Sequence, residues 1–168
     1  MIFNLWPWAH QRMNSTSAYH GSCLCGAVTF HIDGPIKAVT HCHCSQCRKA
    51  HGAAFASYGS VPGTRLTVCD ADQAIRVFKS SPSVSRSFCS NCGANLFWRD
   101  AAGTFADWVS IALGTLDTPF EPVRHKHVHV QSGLSWVDAP TIGQAHKAHH
   151  TDVSLQASTQ AAHPGLSA

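Results

Sequence analysis

The chain has 168 residues, long enough for one domain to bury a core without covalent help. Only 12% of them are charged, which argues against a coiled coil or a strongly solvated chain. A net charge of +3, with Lys and Arg scattered along the chain, leaves no electrostatic footprint for a nucleic-acid partner.

In chain order, residues 1–18 read as an irregular arm. It carries Ile2, Phe3, Leu5, Trp6 and Trp8, but neither a basic leader nor an apolar run of signal-peptide length. Met13 offers an alternative start. No later segment approaches the roughly 20 apolar residues of a membrane span, so no membrane partner is expected and the cytoplasm is the expected compartment. The body begins at Tyr19 and is expected to form one domain over residues 19–143. Its β-branched and aromatic runs predict strands over 27–32, 53–61, 75–79, 84–88, 95–99, 108–113 and 128–130. Gly and Pro punctuate them, as at Gly34-Pro35, Pro62-Gly63 and Ser81-Pro82. One short helical turn is predicted over 44–49, and no long stretch repeats apolar residues at helical spacing. The body therefore reads as mainly β, with small sheets and many turns. Residues 144–168 hold almost no large apolar side chains and are expected to be a disordered tail. Its His146, His149, His150 and His163 could bind metal weakly.

Eight cysteines are the dominant chemical feature. Cys23-Leu24-Cys25 precedes Gly26; Cys42-His43-Cys44-Ser45-Gln46-Cys47 follows a turn; Cys89-Ser90-Asn91-Cys92-Gly93 sits between two strands. Cys69 stands alone and reads as an inert thiol. A disulfide framework is disfavoured, because cysteines two apart on a strand lie roughly 6.5–7 Å apart, at the limit of bridging geometry. Zinc fits better. Close-spaced pairs bring thiolates to the separation a tetrahedral ion requires, and the Gly after Cys92 permits a tight knuckle. Cys23, Cys25, Cys89 and Cys92 then form a closed structural site between distant parts of the body. Cys42, Cys44 and Cys47 are left as three ligands with an open fourth position, the pattern of a catalytic zinc. His51 has normal spacing to close that position, with His41 and His43 in the same segment. An iron–sulfur cluster matches no common spacing.

A zinc ion carrying three thiolates is a poor generator of hydroxide but accepts another thiolate readily. That suits a small thiol such as glutathione, and Arg48 and Lys49, just after the ligand cluster, are candidates to bind its carboxylates. A non-catalytic zinc module for a protein or nucleic-acid partner, and a dithiol redox or metal-storage role, are the competing readings.

The motifs Gly21-Ser22-Cys23-Leu24-Cys25-Gly26-Ala27-Val28, Cys42-His43-Cys44-Ser45-Gln46-Cys47-Arg48-Lys49 and Phe88-Cys89-Ser90-Asn91-Cys92-Gly93 resemble the glutathione-dependent formaldehyde-activating family, which includes centromere protein V. Ala112-Leu113-Gly114-Thr115-Leu116-Asp117, and His127 to Ser132 followed by Trp136, extend the resemblance from about Tyr19 to Pro140. It implies a β-tent of small antiparallel sheets bridged by zinc, with short helical turns. It implies structural zinc on Cys23, Cys25, Cys89 and Cys92, and catalytic zinc on Cys42, Cys44 and Cys47. The implied activity is that of a carbon–sulfur lyase forming S-hydroxymethylglutathione from formaldehyde and glutathione.

Overall fold

The computed structural model describes residues 18–36, 38–122 and 124–137; the expected tail and all of the expected arm except Ala18 lie outside them. The described chain is mainly β. Its elements are β1 (Ala18–Ser22), β2 (Thr29–Asp33), β3 (Val39–Cys42), α1 (Ser45–His51), β4 (Ala56–Pro62), β5 (Leu66–Cys69), β6 (Ile75–Lys79), β7 (Val84–Cys89), β8 (Asn95–Asp100), β9 (Trp108–Ala112) and β10 (His125–Val128). A three-stranded sheet has the order β1-β2-β5, and a seven-stranded sheet the order β10-β3-β4-β9-β8-β7-β6. All pairs are antiparallel except β10 with β3.

Strand periodicity explains how the sheets face one another. In β2, Phe30 and Ile32 are buried while Thr29 and Asp33 are exposed, as a half-buried strand requires. Their burial partners come from the large sheet: Val61, Phe97, Val109 and Ile111 join them in one apolar core. The Phe30 and Phe97 rings meet edge to face at 5.4 Å. Each such side chain, fully buried, is worth about 1.5–3 kcal/mol. Gly59 makes the approach possible on β4, because a Cβ there would stand 2.6 Å from Ile36 and 2.8 Å from Leu113.

The same alternation builds the opposite face of the large sheet. Lys126 pairs with Thr40, Thr40 with Tyr58, Ser60 with Ser110, Ser110 with Trp98, and Trp98 with Arg86. Residues from β10, β3, β4, β9, β8 and β7 are thereby placed side by side on one surface. A smaller core of Cys42, Cys47, Ala56, Tyr58 and Ala112 lies on this same face.

Two of the expected strands move most. The strand predicted over 53–61 starts only at Ala56, because α1 runs on to His51 and ends at Gly52 in the left-handed region (φ 56°). The strand predicted over 128–130 is instead His125–Val128. His129 takes a left-handed backbone (φ 57°) and starts a 3-10 turn over Val130–Ser132, which ends the pairing. Finally β1, β3 and β5 are strands that the pattern does not announce. They are four or five residues long, and β5 buries none of them fully.

Candidate metal centres

Two glycine turns aim the first cysteine group. Gly26 and Gly93 both adopt positive φ (77° and 75°), which lets each N–H fold back onto the carbonyl of Cys23 or Cys89, at 3.0 and 2.8 Å. The turn after β1 thus faces the β7–β8 turn. The sulfurs of Cys23, Cys25, Cys89 and Cys92 all lie within 4.8 Å of one another, with Cys23 to Cys25 at 3.5 Å and Cys25 to Cys89 at 3.8 Å. A tetrahedral zinc with bonds of about 2.3 Å demands sulfurs about 3.8 Å apart, whereas a disulfide demands about 2.0 Å. The spacing fits the ion, and all eight cysteines are free. The group joins the small sheet to the large one. A hydrogen bond from the Ala94 backbone is the largest effect holding the Cys92 thiol down, at about 6, so this thiol ionises readily.

The second group is built around the start of α1. Cys42 ends β3, Cys44 is the N-cap, and Cys47 lies in the first turn. The Cys47 N–H donates to the Cys44 sulfur at 3.4 Å, the bond an N-cap side chain makes to an otherwise unpaired helix N–H. Cys42 and Cys44 approach to 3.6 Å, and the three sulfurs again lie within 4.8 Å of one another. This group could also hold a metal ion, and no imidazole among the described residues joins it. His51, the expected competitor, has its Nε2 on the Tyr58 hydroxyl at 2.8 Å. His41 pairs with Ser57 and His125, and the buried His43 pairs with His127.

Arg86 is the unexpected member. It is 7% exposed, and no carboxylate among the described residues lies within ion-pair reach of it. Its guanidinium reaches the Cys47 sulfur at 3.7 and 3.8 Å, Tyr58 at 3.5 Å and the Ser80 hydroxyl at 3.2 Å. A buried cation is costly unless an anion balances it, and the anion on offer is a cysteine thiolate. The hydrogen bond from Cys42 and then Arg86 hold the Cys47 thiol down at about 5, against the opposing effect of burial. The Cys42 thiol is pushed up in return, first by Cys47 and then by burial. Burial also raises the Tyr58 phenol, which therefore stays protonated.

A cavity of about 370 Å³ opens over this group, lined by Cys42, Cys44, Cys47, Tyr58, Arg86, Trp98 and Lys126, among others. The two cations singled out from the sequence do not line it. Arg48 turns its Nε to the His43 carbonyl at 3.1 Å, and Lys49 is exposed on the far side of α1. Arg86 escaped the sequence reading although one signal was present: Val84 and Arg86 share a strand face, so a cation sits in an apolar row.

His51 makes the site sensitive to acid. Burial lowers its pKa from the ordinary 6.5, with Cys47 opposing and Arg86 reinforcing the shift. The unfolded chain therefore takes up this proton first as pH falls. The stability linked to neutral His51 is whole above pH 6.5 and is lost as pH drops through the folded value. The urea midpoint of the unaltered protein is expected to fall more steeply between pH 7 and 5 than that of His51→Gln, which keeps a partner for Tyr58. Equal slopes would contradict this.

Residues 18–132 match the sequence profile of the family described as glutathione-dependent formaldehyde-activating enzyme. A Halomonas elongata protein named, on inference, for that activity is 32% identical over 70% of this chain and 78% of its own length. A Phaeosphaeria nodorum protein of the same description is 30% identical over 56% of this chain. The match covers 43% of that fungal protein, so the chain spans less than half its length. A crystal structure of a Rhodobacter sphaeroides protein shares the fold, with a TM-score of 0.51 and 19% identity, covering 60% of this chain and 90% of that one. No helix among the described residues is long and apolar enough to cross a membrane.

Proposed function

We propose a function for this chain from one premise: it belongs to the glutathione-dependent formaldehyde-activating enzyme family. It acts as a zinc-dependent carbon–sulfur lyase on glutathione adducts, and in the synthetic direction joins formaldehyde to glutathione as S-hydroxymethylglutathione. The observation that carries this reading is the second cysteine group, three converged thiols without an imidazole, opening onto a cavity. The ligands assigned are Cys42, Cys44 and Cys47 for a catalytic zinc, and Cys23, Cys25, Cys89 and Cys92 for a structural one. The catalytic unit is the body, residues 19–143, working in the cytoplasm, where these cysteines stay reduced.

When bound by the three thiolates, zinc supplies a soft Lewis acid that favours the thiolate form of a sulfur held beside it. The protein's own groups do the rest. Arg86 balances the negative charge that three thiolates and a substrate sulfur bring together. Lys126, rather than Arg48 or Lys49, is assigned to a glutathione carboxylate, because it alone of the three lines the cavity. The Tyr58 hydroxyl lines the same cavity and is backed by His51. In the reaction a carbon–sulfur bond forms, the carbonyl π bond breaks, and the proton leaving the thiol ends on the carbonyl oxygen. Tyr58 and His51 are the pair placed to pass it.

Exchange NMR of glutathione and formaldehyde tests the reading. The zinc-loaded protein is expected to raise the exchange rate, and Cys44→Ser to return it to the uncatalysed value. Equal rates with the two proteins would overturn it.

A further inference from the structure

We propose that the cleft over Cys42, Cys44 and Cys47 has a second lobe that binds an apolar, ring-sized group carried on the substrate carbon. This inference rests on the reading above that the substrate sulfur sits at those three cysteines. A further cavity of about 370 Å³ adjoins the first, and the two share Ser60, Trp98, Ser110 and Lys126 in their walls. They adjoin along those four residues and together form the proposed cleft.

Its size exceeds what the family's named reaction needs. Small-molecule sites run from about 300 to 1,000 Å³, so the first lobe already suits a tripeptide-sized thiol. Formaldehyde adds one carbon and leaves the second lobe without an occupant.

The walls of that lobe state its chemistry. Trp98, Trp108 and Phe105 line it. The Phe105 and Trp108 rings meet edge to face at 5.6 Å, and yet Phe105 is 66% exposed. An aromatic pair left open beside a reactive cleft is a surface that a flat apolar ligand covers favourably. At the neck between the lobes, the Ser60 and Ser110 hydroxyls bond to each other at 2.8 Å, which leaves one of their two hydroxyl protons to a ligand or to water there. Asp100, at the rim, is engaged by the Ala102 N–H at 3.1 Å. Lys126 stands at the junction, placed to hold a carboxylate of the thiol while the ring lies beyond it.

The substrate class is thus the adduct of glutathione with an aryl or similarly bulky apolar aldehyde. The chemistry is unchanged: thiol sulfur bonds to the carbonyl carbon, the π electrons move to oxygen, and the thiol proton follows.

Calorimetric titration of the zinc-loaded protein with glutathione, S-methylglutathione and S-benzylglutathione tests this. S-benzylglutathione is expected to bind about tenfold more tightly than S-methylglutathione, from the apolar area covered. That ratio is expected to fall towards one in Phe105→Ala, an exposed position, or in Trp108→Ala. Equal affinity for the two conjugates overturns the second lobe while leaving the thiol reading intact. A benzyl gain that survives both substitutions overturns its placement. Binding of none of the three compounds overturns both readings.

Discussion

Replacing Cys89 with serine is expected to unfold the domain. Cys89 is fully buried and is one of four sulfurs that, holding the proposed structural zinc, would tie the small sheet to the β7–β8 turn of the large one. Structural zinc sites in small domains supply about 10–16 kcal/mol of apparent binding free energy, whereas a whole domain is stable by only about 5–15 kcal/mol. Losing one ligand therefore removes a contribution as large as the net stability. Far-UV and near-UV circular dichroism of Cys89→Ser are expected to show loss of the native fold at 25 °C, and a strong chelator is expected to do the same to the unaltered protein. The control is Cys69→Ser: this eighth cysteine is exposed and belongs to neither group, so its loss leaves stability within about 0.5 kcal/mol. A Cys89→Ser protein that melts like the control would refute a structural role for the four-thiol group.

The second large effect belongs to Arg86. Three thiolates outweigh a divalent ion by one unit of charge, and a substrate thiolate adds another. In a buried setting that build-up is expensive unless a cation is fixed beside it. Arg86 is that cation, held at 3.7 Å from the Cys47 sulfur and kept in place by Ser80 and Tyr58. Removing one partner of a buried charged pair costs about 3–5 kcal/mol, and every 1.36 kcal/mol is about tenfold in rate. Arg86→Leu is accordingly expected to lower kcat/KM for the proposed glutathione reaction by about 10²–10⁴-fold. Zinc content is expected to be retained, since no ligand is removed. Arg86→Lys keeps the charge without the fork and is expected to fall between the two. Unchanged kcat/KM in Arg86→Leu would show that the cation serves the fold alone.

How far the sequence could carry this account depended on whether the signal was local. Ligand spacing is local: Cys23-x-Cys25, Cys42-x-Cys44-x-x-Cys47 and Cys89-x-x-Cys92 each bring their sulfurs together within one turn, and the structure assembles those same groups. Strands with β-branched and aromatic residues were equally legible, and β6 runs over the expected 75–79. Strands whose identity comes from their neighbours were not. β3 is Val-Thr-His-Cys and becomes a strand because β4 and β10 flank it. The cavity wall is the extreme case. Arg86, Trp98, Ser110, Tyr58 and Lys126 come from separate strands, and only the register of the large sheet aligns them. Arg48 and Lys49 are near the cysteines in sequence. A seven-residue helix then carried them away from the cavity.

In the proposed function, Cys42, Cys44 and Cys47 hold a metal that receives the thiol of the substrate. Cobalt substitution reads this directly, because each thiolate on the ion adds to the sulfur-to-metal charge-transfer absorption. Titrating the cobalt-loaded protein with glutathione is expected to increase that band by one further thiolate per chain, saturably, with release of one proton. Cys44→Ser is expected to lose the increase. A charge-transfer band that glutathione leaves unchanged, in a protein shown to carry cobalt in both groups, would contradict the account.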